Sequence, residues 1–239
     1  MVIKTQDLKE NDKLVWLYSE NLGKITAVAK GAKGGRSKFM SSTLPFCFGE
    51  YVVFKGKSLF TINECEIIDS FQALIGDLES LTYASYFCEL IDICINEMDS
   101  SHNVFRMFVT VLYLMKSKAV DLEMLARSFE LKLLAATGYR LYLDNCCICK
   151  KKIKTSSYIS FQYSGGICDD CNKANGMQIS NATYNLLNYL ISLPLEKVYR
   201  VSVGKDIKDE LNKVLSTFIS NNYMKKPKSL GALKFFKEE

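Results

Sequence analysis

The stretch CCICKKKIKTSSYISFQYSGGICDDC, residues 146–171, holds five of the chain's nine cysteines. It contains two Cys-x-x-Cys pairs, Cys146 with Cys149 and Cys168 with Cys171, with 18 residues between the pairs. This spacing is typical of structural zinc sites, in which a tight turn aims two thiolates at one ion and a longer hairpin returns the second pair. Four thiolates complete a tetrahedron, so the predicted cofactor is one structural Zn²⁺ that has no open position for a substrate.

The residues around the two pairs add detail to this prediction. The segment SYISFQYSGG favours a strand that turns at Gly165 and Gly166, just before the second pair. Cys147 does not fit the spacing, although it could replace Cys146 as a ligand. The alternatives are four buried free cysteines, or a thioredoxin-like redox centre, which needs a single Cys-x-x-Cys that opens a helix. The other cysteines lie in apolar runs and are expected in the core: Cys47, Cys65, Cys88 and Cys94.

The region before residue 75 has a β-rich pattern. Five short runs with partial alternation of apolar residues are separated by segments that contain glycine. This pattern predicts a small barrel such as the OB-fold, and an SH3-like barrel would give nearly the same pattern. The predicted fold class is therefore multi-domain α+β. An OB-fold, nucleic-acid-binding domain is expected over residues 1–75, and a helical domain over 76–239 with the four-cysteine zinc module embedded at about 140–178.

Helical periodicity begins where the β pattern ends. Ser180 is a predicted N-cap, Asp206 lies near another, and Gly138 is placed to end a helix. The tail from residue 225 is basic and expected to be irregular. The predicted helices lie within residues 77–98, 103–117, 121–138, 180–194 and 206–224.

Composition excludes several classes of protein. With 48% hydrophobic and 24% charged residues, 3 prolines and 13 glycines, the chain is neither disordered nor fibrous. We expect no signal peptide and no transmembrane helix, and hence the cytosol, where thiols stay reduced. The chain is basic over residues 1–60 and again from residue 146, with an acidic middle. This distribution favours a polyanionic partner, the alternative being ordinary solvated lysine.

A basic, glycine-rich loop carries the predicted nucleic-acid contacts. The segment GKITAVAKGAKGGRSKF, residues 23–39, has five cations and no acidic residue, and it lacks the P-loop order. Its glycines predict a flexible loop that can approach a phosphate backbone, whereas the alternative is a solubilising surface turn. The aromatic candidates for base stacking are Trp16, Tyr18, Phe39, Phe46 and Phe48. The predicted DNA-binding residues are Lys24, Lys30, Lys33, Arg36 and Lys38.

No constellation of nucleophile and base is visible, so the chain is predicted not to be an enzyme and no catalytic residue is assigned. The single histidine, His102, lies in a predicted helix-cap loop. A catalytic zinc keeps an open position, and the deaminase signature is absent. Scattered carboxylates such as Glu89 and Asp92 are expected to face solvent. One candidate function is that of a zinc-ribbon protein that binds nucleic acid in transcription or on the ribosome.

In their order along the chain, these segments resemble the RecO family of bacterial recombination mediators. Residues 8–39, with Glu10, Asp12 and the basic loop, are similar to the opening of the family, and LPFCFGEY at 44–51 is similar to its next strand entry. The two Cys-x-x-Cys pairs resemble the zinc module of many members. FISNNYMKKPKSL, residues 218–230, resembles the closing basic signature.

The resemblance implies an activity and a set of partners. The activity is binding of single- and double-stranded DNA, annealing of complementary strands, and work with RecR to load RecA onto DNA coated with single-strand-binding protein (SSB). It implies a cytoplasmic, nucleoid-associated protein that needs no membrane. The acidic SSB tail requires an apolar groove with a cation at one end. The candidate cations are Arg127, Lys132 and Arg140, and the alternative is ordinary surface charge on helices.

Overall fold

The computed structural model describes residues 1–174, 176–229 and 231–232. The chain divides into two compact units, one formed by Met1–Lys116 with Pro227–Glu239 and the other by Ser117–Lys226. The predicted mixed α+β class is confirmed, because a five-stranded sheet at the start of the chain is followed by helices. In the described part of the chain, no helix combines the length and the apolar character needed to cross a membrane.

The first unit is built on a five-stranded sheet. Its strands are β1 (Val2–Asp7), β2 (Lys13–Ser19), β3 (Gly23–Ala29), β4 (Phe48–Lys55) and β5 (Phe60–Asp69). The order in space is β1-β2-β3-β5-β4, and only the β3–β5 pair is parallel. Alternate residues of these strands are buried in one apolar core, as expected for a sheet with one covered face. The core side chains are Val2, Val15, Leu17, Ile25, Ala27, Ala29, Ala32, Phe39, Cys47 and Ile62.

The two edges of this sheet approach each other without forming a ladder between β1 and β4. The backbone N–H of Val2 donates to the Cys47 carbonyl at 2.9 Å, and the N–H of Phe46 donates to the Val2 carbonyl at 2.9 Å. These two bonds join β1 to the residues just before β4. The described strands therefore form a curled, open sheet, and a closed OB-fold barrel stays a prediction.

Two long helices belong to the same unit as the sheet. A 3-10 helix over Gln72–Gly76 leads into α1 (Leu78–Cys94), and α2 (His102–Lys116) follows. The Asp77 side chain caps α1 by accepting the backbone N–H of Ser80 at 3.0 Å.

The second unit contains three further helices and a small sheet. Its helices are α3 (Leu122–Ala136), α4 (Asn181–Ser192) and α5 (Lys205–Asn222), with a 3-10 helix over Leu195–Arg200. The three strands are β6 (Tyr158–Ser160), β7 (Gly165–Gly166) and β8 (Gly176–Gln178), in the order β7-β6-β8.

Local signals located the ends of most of these helices. Ser180 caps α4 as predicted, since its side chain accepts the N–H of Thr183. Gly138 has a φ of 92° just after α3, the left-handed conformation that favours glycine. The N-cap of α5 is Gly204, two residues before Asp206, and it has no side chain that could form a capping hydrogen bond. In the tail, residues 229 and 231–232 are helical, and the predicted irregular segment from residue 233 onward lies outside the described residues.

Candidate metal centre and nucleic-acid interface

The structure brings the four predicted cysteine ligands together. The sulfur atoms of Cys146, Cys149, Cys168 and Cys171 all lie within 4.8 Å of one another. Two of them, Cys149 Sγ and Cys168 Sγ, are 3.6 Å apart. Zn–S bonds of about 2.3 Å at a tetrahedral angle place sulfurs about 3.8 Å apart, so the cluster fits one such ion. Cys147 is not part of this group, and its N–H donates to the Gly166 carbonyl at 2.8 Å.

The first pair of cysteines lies on a tight hairpin. The N–H of Cys146 donates to the Lys151 carbonyl at 2.8 Å, and Asn145 forms a bridge with Lys152. Lys150 has a φ of 64°, which lets the chain reverse inside the hairpin. The N–H of Cys168 then points at Cys146 Sγ, 3.4 Å away. Backbone geometry therefore aims both pairs at a common point.

The four thiols of the cluster differ in how readily they ionise when no cation is bound. Burial opposes ionisation of Cys146, but backbone N–H groups of Cys168 and Cys149, with that of Ile148, outweigh it and lower the Cys146 pKa to about 6. Hydrogen bonding to neighbouring thiols raises the pKa of Cys171 to about 12, and burial raises that of Cys168. The cluster on its own thus holds protons on part of its sulfurs. A divalent metal that takes all four as thiolates must displace those protons.

The predicted turn at Gly165 and Gly166 is wrong. The chain turns at residues 161–164, and the two glycines form strand β7 opposite Ile159 and Ser160. Both glycines are required by close approaches rather than by a turn. A Cβ at Gly165 would lie 2.5 Å from the Tyr142 carbonyl oxygen, and a Cβ at Gly166 would lie 2.2 Å from the Tyr184 hydroxyl.

Tyr184 anchors the cysteine module to the helices of its unit. It lies on α4, is fully buried, and its hydroxyl donates to the Leu143 carbonyl at 2.6 Å. Burial raises the pKa of this tyrosine, so it remains a donor. On α5, Phe218 makes an edge-on contact with Phe161 at a centroid distance of 4.8 Å. Sequence reasoning missed Tyr184, because only the three-dimensional approach of Gly166 reveals its role.

Lys24 is separated from the other predicted DNA contacts. Its side chain is 9% exposed, and its ammonium donates to the Asp92 carboxylate at 3.2 Å and to the Asp92 carbonyl at 2.5 Å. A buried, paired ammonium cannot reach a phosphate without breaking that pair, so the geometry disfavours the prediction that Lys24 contacts DNA. Asp92, expected to face solvent, is the partner that sequence reasoning missed.

The other four predicted cations lie together on the basic loop, which we define as residues 30–38. Lys30 and Arg36 are exposed, and neither forms an ion pair or hydrogen bond with any other described residue. Lys33 pairs with Asp7 at 3.1 Å, and Lys38 donates to the Asn63 carbonyl at 2.9 Å. The Lys33–Asp7 contact is a surface ion pair, which contributes only about 0–1 kcal/mol, and the hydrogen bond of Lys38 is solvent-exposed, so both ammonium groups can exchange partners.

The basic loop is anchored rather than free. The N–H of Gly31 donates to the Asp12 carboxylate at 2.9 Å, and the N–H of Lys33 donates to the Asn11 carbonyl at 3.1 Å. Ala32 is fully buried in the core of the sheet. The flexible loop expected from its glycines is therefore held at one end. A role for Asp12 follows from these contacts: it fixes the start of the loop.

The aromatic candidates separate into buried and accessible side chains. Tyr18, Phe39 and Phe46 are buried in the first unit and cannot stack with a base as they stand. Trp16 is partly exposed on β2, with the Lys4 ammonium 4.7 Å from its ring centroid. Phe48 is also partly exposed. Trp16 and Lys4 together offer an aromatic face with a cation, the combination used by single-strand binding surfaces.

The three predicted cations for the SSB tail differ in their surroundings. Arg127 is 2% exposed and pairs with Glu130 at 3.0 Å and Asn212 at 2.7 Å, so its surroundings are those of a structural residue and disfavour the prediction that it binds the SSB tail. Burial lowers the pKa of Lys132, whose ammonium lies 3.5 Å from the Ile191 carbonyl. Arg140 is exposed and lines a cavity of about 480 Å³ together with Tyr189 and Ile191. Lys132 and Arg140 thus both lie near the C-terminal end of α4.

Two models of known protein families match almost the whole chain. Residues 1–71 match the family model described as "Recombination protein O N terminal", and residues 75–231 match the one described as "Recombination protein O C terminal". The chain belongs to the RecO family. The predicted resemblance is thereby confirmed over almost the whole sequence.

Relatives within the RecO family are similar along their full length. The DNA repair protein RecO of Clostridium acetobutylicum is 54% identical over 239 residues, which cover 100% of this chain and 97% of the relative. The DNA repair protein RecO of Clostridium kluyveri is 56% identical over a match that covers 98% of this chain and 91% of the relative. The DNA repair protein RecO of Acetivibrio thermocellus is 33% identical over a match that covers 94% of this chain and 88% of the relative. The family is one of DNA repair proteins and is not a known enzyme family.

Proposed function

We propose that this RecO-family chain binds single- and double-stranded DNA, anneals complementary strands and, with RecR, helps to load RecA onto SSB-coated single strands. Residues 1–75 would carry the main DNA contacts, and the protein would act in the bacterial cytoplasm on the nucleoid. Family membership supports the repair role. The DNA-binding part rests on two exposed cations, Lys30 and Arg36, on an anchored loop beside the sheet. Neither cation forms an ion pair with another residue that the structure describes.

An anchored cationic loop suits a phosphate backbone for two reasons. Its fixed backbone reduces the entropy lost on binding, because the cations are already positioned. Each phosphate contact also releases counterions from DNA, which makes the interaction independent of sequence and sensitive to salt. Lys33 and Lys38 add to the contact when their weak intramolecular partners exchange for phosphate. Trp16 would provide a stacking face nearby on β2 for an unpaired base.

Annealing follows from charge neutralisation and needs no covalent step. Two single strands repel each other, and a protein that neutralises phosphates on both lowers that repulsion and raises their local concentration. Such a mechanism requires no catalytic residue, and none is assigned to this chain. RecR and RecA enter this proposal from the family resemblance alone.

The decisive experiment is an annealing assay with complementary oligonucleotides, bare and coated with SSB. Wild-type protein should accelerate annealing in both cases. The double variant Lys30→Ala/Arg36→Ala should bind single strands with a salt slope lower by about 1.4, since each lost contact removes roughly 0.7. The matched control is Arg106→Ala, which removes an exposed arginine on α2 of the same unit. Equal losses in the two variants would contradict a role for the loop.

The proposed cofactor is one structural Zn²⁺ held by Cys146, Cys149, Cys168 and Cys171. The fit of the sulfur distances to a tetrahedral thiolate site supports it. Zinc would supply a cross-link that fixes the small β6–β8 sheet, which is too short to form a core by itself. Elemental analysis of protein purified without added metal should give one zinc per chain. A zinc-free protein with an unchanged melting temperature would contradict the proposal.

The SSB tail is proposed to bind near the end of α4, with Lys132 and Arg140 as the cations. Both residues lie beside Ile191, and the half-exposed Tyr189 provides apolar surface in the same cavity. A titration with an SSB tail peptide should show weaker binding to Arg140→Ala than to wild type. Arg200→Ala, which removes an exposed arginine from the same unit, is the matched control. Equal peptide affinity for Arg140→Ala and wild type would place the tail elsewhere.

A further inference from the structure

The outward face of β4 and β5 combines carboxylates with exposed apolar side chains. Val52 is 53% exposed and Phe54 is 69% exposed, and both alternate with residues that point into the core of the sheet. At the far end of the strand pair, Ile68 is 54% exposed. We call this surface the acidic strand face, and its residues are Glu50, Val52, Phe54, Glu64, Glu66 and Ile68.

The carboxylates of this face are placed against one another. Glu50 lies directly opposite Glu66, and Val52 lies opposite Glu64. In the part of the chain that the structure describes, none of the three glutamates forms an ion pair. Like charges directly opposite each other on a sheet are destabilising. The face therefore carries a repulsion that the folded chain does not relieve by itself.

A close backbone approach fixes this register. A Cβ at Gly49 would lie 2.2 Å from the carbonyl oxygen of Glu66, so only glycine allows the two strands to cross so tightly there. One bulge lies between Phe48 and Gly49, and a second lies between Val52 and Val53. The two glutamates are thus held opposite each other by the backbone, and the strands cannot slip to separate them.

A cavity of about 510 Å³ adjoins the acidic strand face. Its apolar lining includes Leu17, Leu22 and Val53, and Glu50 belongs both to this lining and to the face. A second carboxylate in the lining, Glu20, pairs with His102. The cavity therefore offers an apolar surface next to negative charge.

We propose that the acidic strand face and its cavity form a docking site for a partner protein segment that carries lysine or arginine beside a large apolar side chain. Cations from such a segment relieve the repulsion between Glu50 and Glu66, and the apolar side chain covers Phe54 or enters the cavity. DNA is excluded as the occupant because three carboxylates repel phosphate. This protein-docking site is distinct from the basic loop, and its existence does not depend on the proposed DNA-binding function.

The test uses full-length protein and two fluorescent synthetic peptides, one of alternating lysine and leucine and one of alternating glutamate and leucine. Fluorescence anisotropy should show that the lysine peptide binds wild type and that the glutamate peptide does not. Glu66→Lys should lower the affinity for the lysine peptide about tenfold or more, because it removes one anion and adds a cation at the centre of the acidic strand face. Glu10→Lys, which makes the same charge change at an exposed residue outside the face, should bind like wild type.

Thermal melting separates loss of docking from loss of fold. Glu66→Lys replaces a repulsive pair with an attractive one, so its melting temperature should rise by about 2 °C while peptide binding falls. Phe54→Ser should also lower the affinity for the lysine peptide, although it leaves the charge of the acidic strand face unchanged. Equal peptide affinity for Glu66→Lys and wild type would overturn the proposal, as would a lower melting temperature. Sedimentation that showed wild-type dimers and Glu66→Lys monomers would overturn it in favour of a second copy of this chain.

Discussion

Replacing Gly166 by alanine should loosen the cysteine module from the helix that holds it. The added methyl group would lie 2.2 Å from the Tyr184 hydroxyl and 2.7 and 2.8 Å from two of its ring carbons. Tyr184 is fully buried, so its ring cannot swing into solvent. Overpacking of this kind costs about 1–3 kcal/mol. If the ring does shift, the hydrogen bond to Leu143 breaks, and leaving those buried groups unpaired costs about 1–3 kcal/mol more.

The expected loss in the free energy of unfolding is therefore about 1–3 kcal/mol from overpacking alone, and about 2–6 kcal/mol if the hydrogen bond to Leu143 also breaks. Urea titrations followed by circular dichroism would measure it, with the metal content determined on the same samples. Gly204→Ala is the control in the same unit, because nothing lies within 4 Å of a Cβ placed there, and its change should stay within about 1 kcal/mol. If Gly166→Ala unfolded like Gly204→Ala, the close approach to Tyr184 would not be what holds the module.

Four further predictions concern single residues. Cys168→Ser should lose stoichiometric metal and melt at a lower temperature. Its free energy of unfolding should fall by about 4 kcal/mol if free zinc in the wild-type sample is 1,000-fold above its Kd. Lys24→Met should reduce the free energy of unfolding by about 1–3 kcal/mol and leave the salt slope of DNA binding unchanged, because its ammonium is paired inside the unit. Arg127→Met should destabilise the second unit by about 3–5 kcal/mol, since it leaves Glu130 buried without that partner. Burial opposes ionisation of Glu210, but hydrogen bonds from hydroxyl groups and the backbone outweigh it and lower the pKa of this carboxyl group. The ionised carboxylate therefore stabilises the fold above the ordinary carboxylate pKa of about 4.3, and this stabilisation is lost as the pH falls through the lowered folded pKa. Glu210→Gln should accordingly lose less stability than wild type on acidification.

Each of these predictions has an outcome that contradicts it. Full zinc content in Cys168→Ser would show that three thiolates suffice. A lower salt slope in Lys24→Met would return that residue to the DNA contacts. Wild-type stability of Arg127→Met together with a lower affinity for the SSB tail peptide would support Arg127 as a cation that binds the tail. Parallel unfolding curves for Glu210→Gln and wild type at every pH would remove the carboxylate from the acid response.

Features that depend on neighbours in sequence were predictable from the sequence. The clustering of the four cysteines follows from the two Cys-x-x-Cys pairs, because the turn within each pair is local and the segment between the pairs only has to fold back on itself. The helix caps at Ser180 and Gly138 follow in the same way from side-chain and backbone preferences of single residues. The order of these segments was also enough to place the chain in its family.

The tertiary structure decided which charged residues are free to meet a partner. Lys24 looks like part of the basic loop in sequence, but its carboxylate partner lies 68 residues away. Arg127 meets Asn212 across 85 residues. The acidic strand face depends on two bulges and on the close crossing at Gly49, which alternation of residue types does not encode. Ion pairing and strand register are set by contacts between distant segments, so a residue's type and its immediate neighbours do not determine whether its charge is buried, paired or exposed.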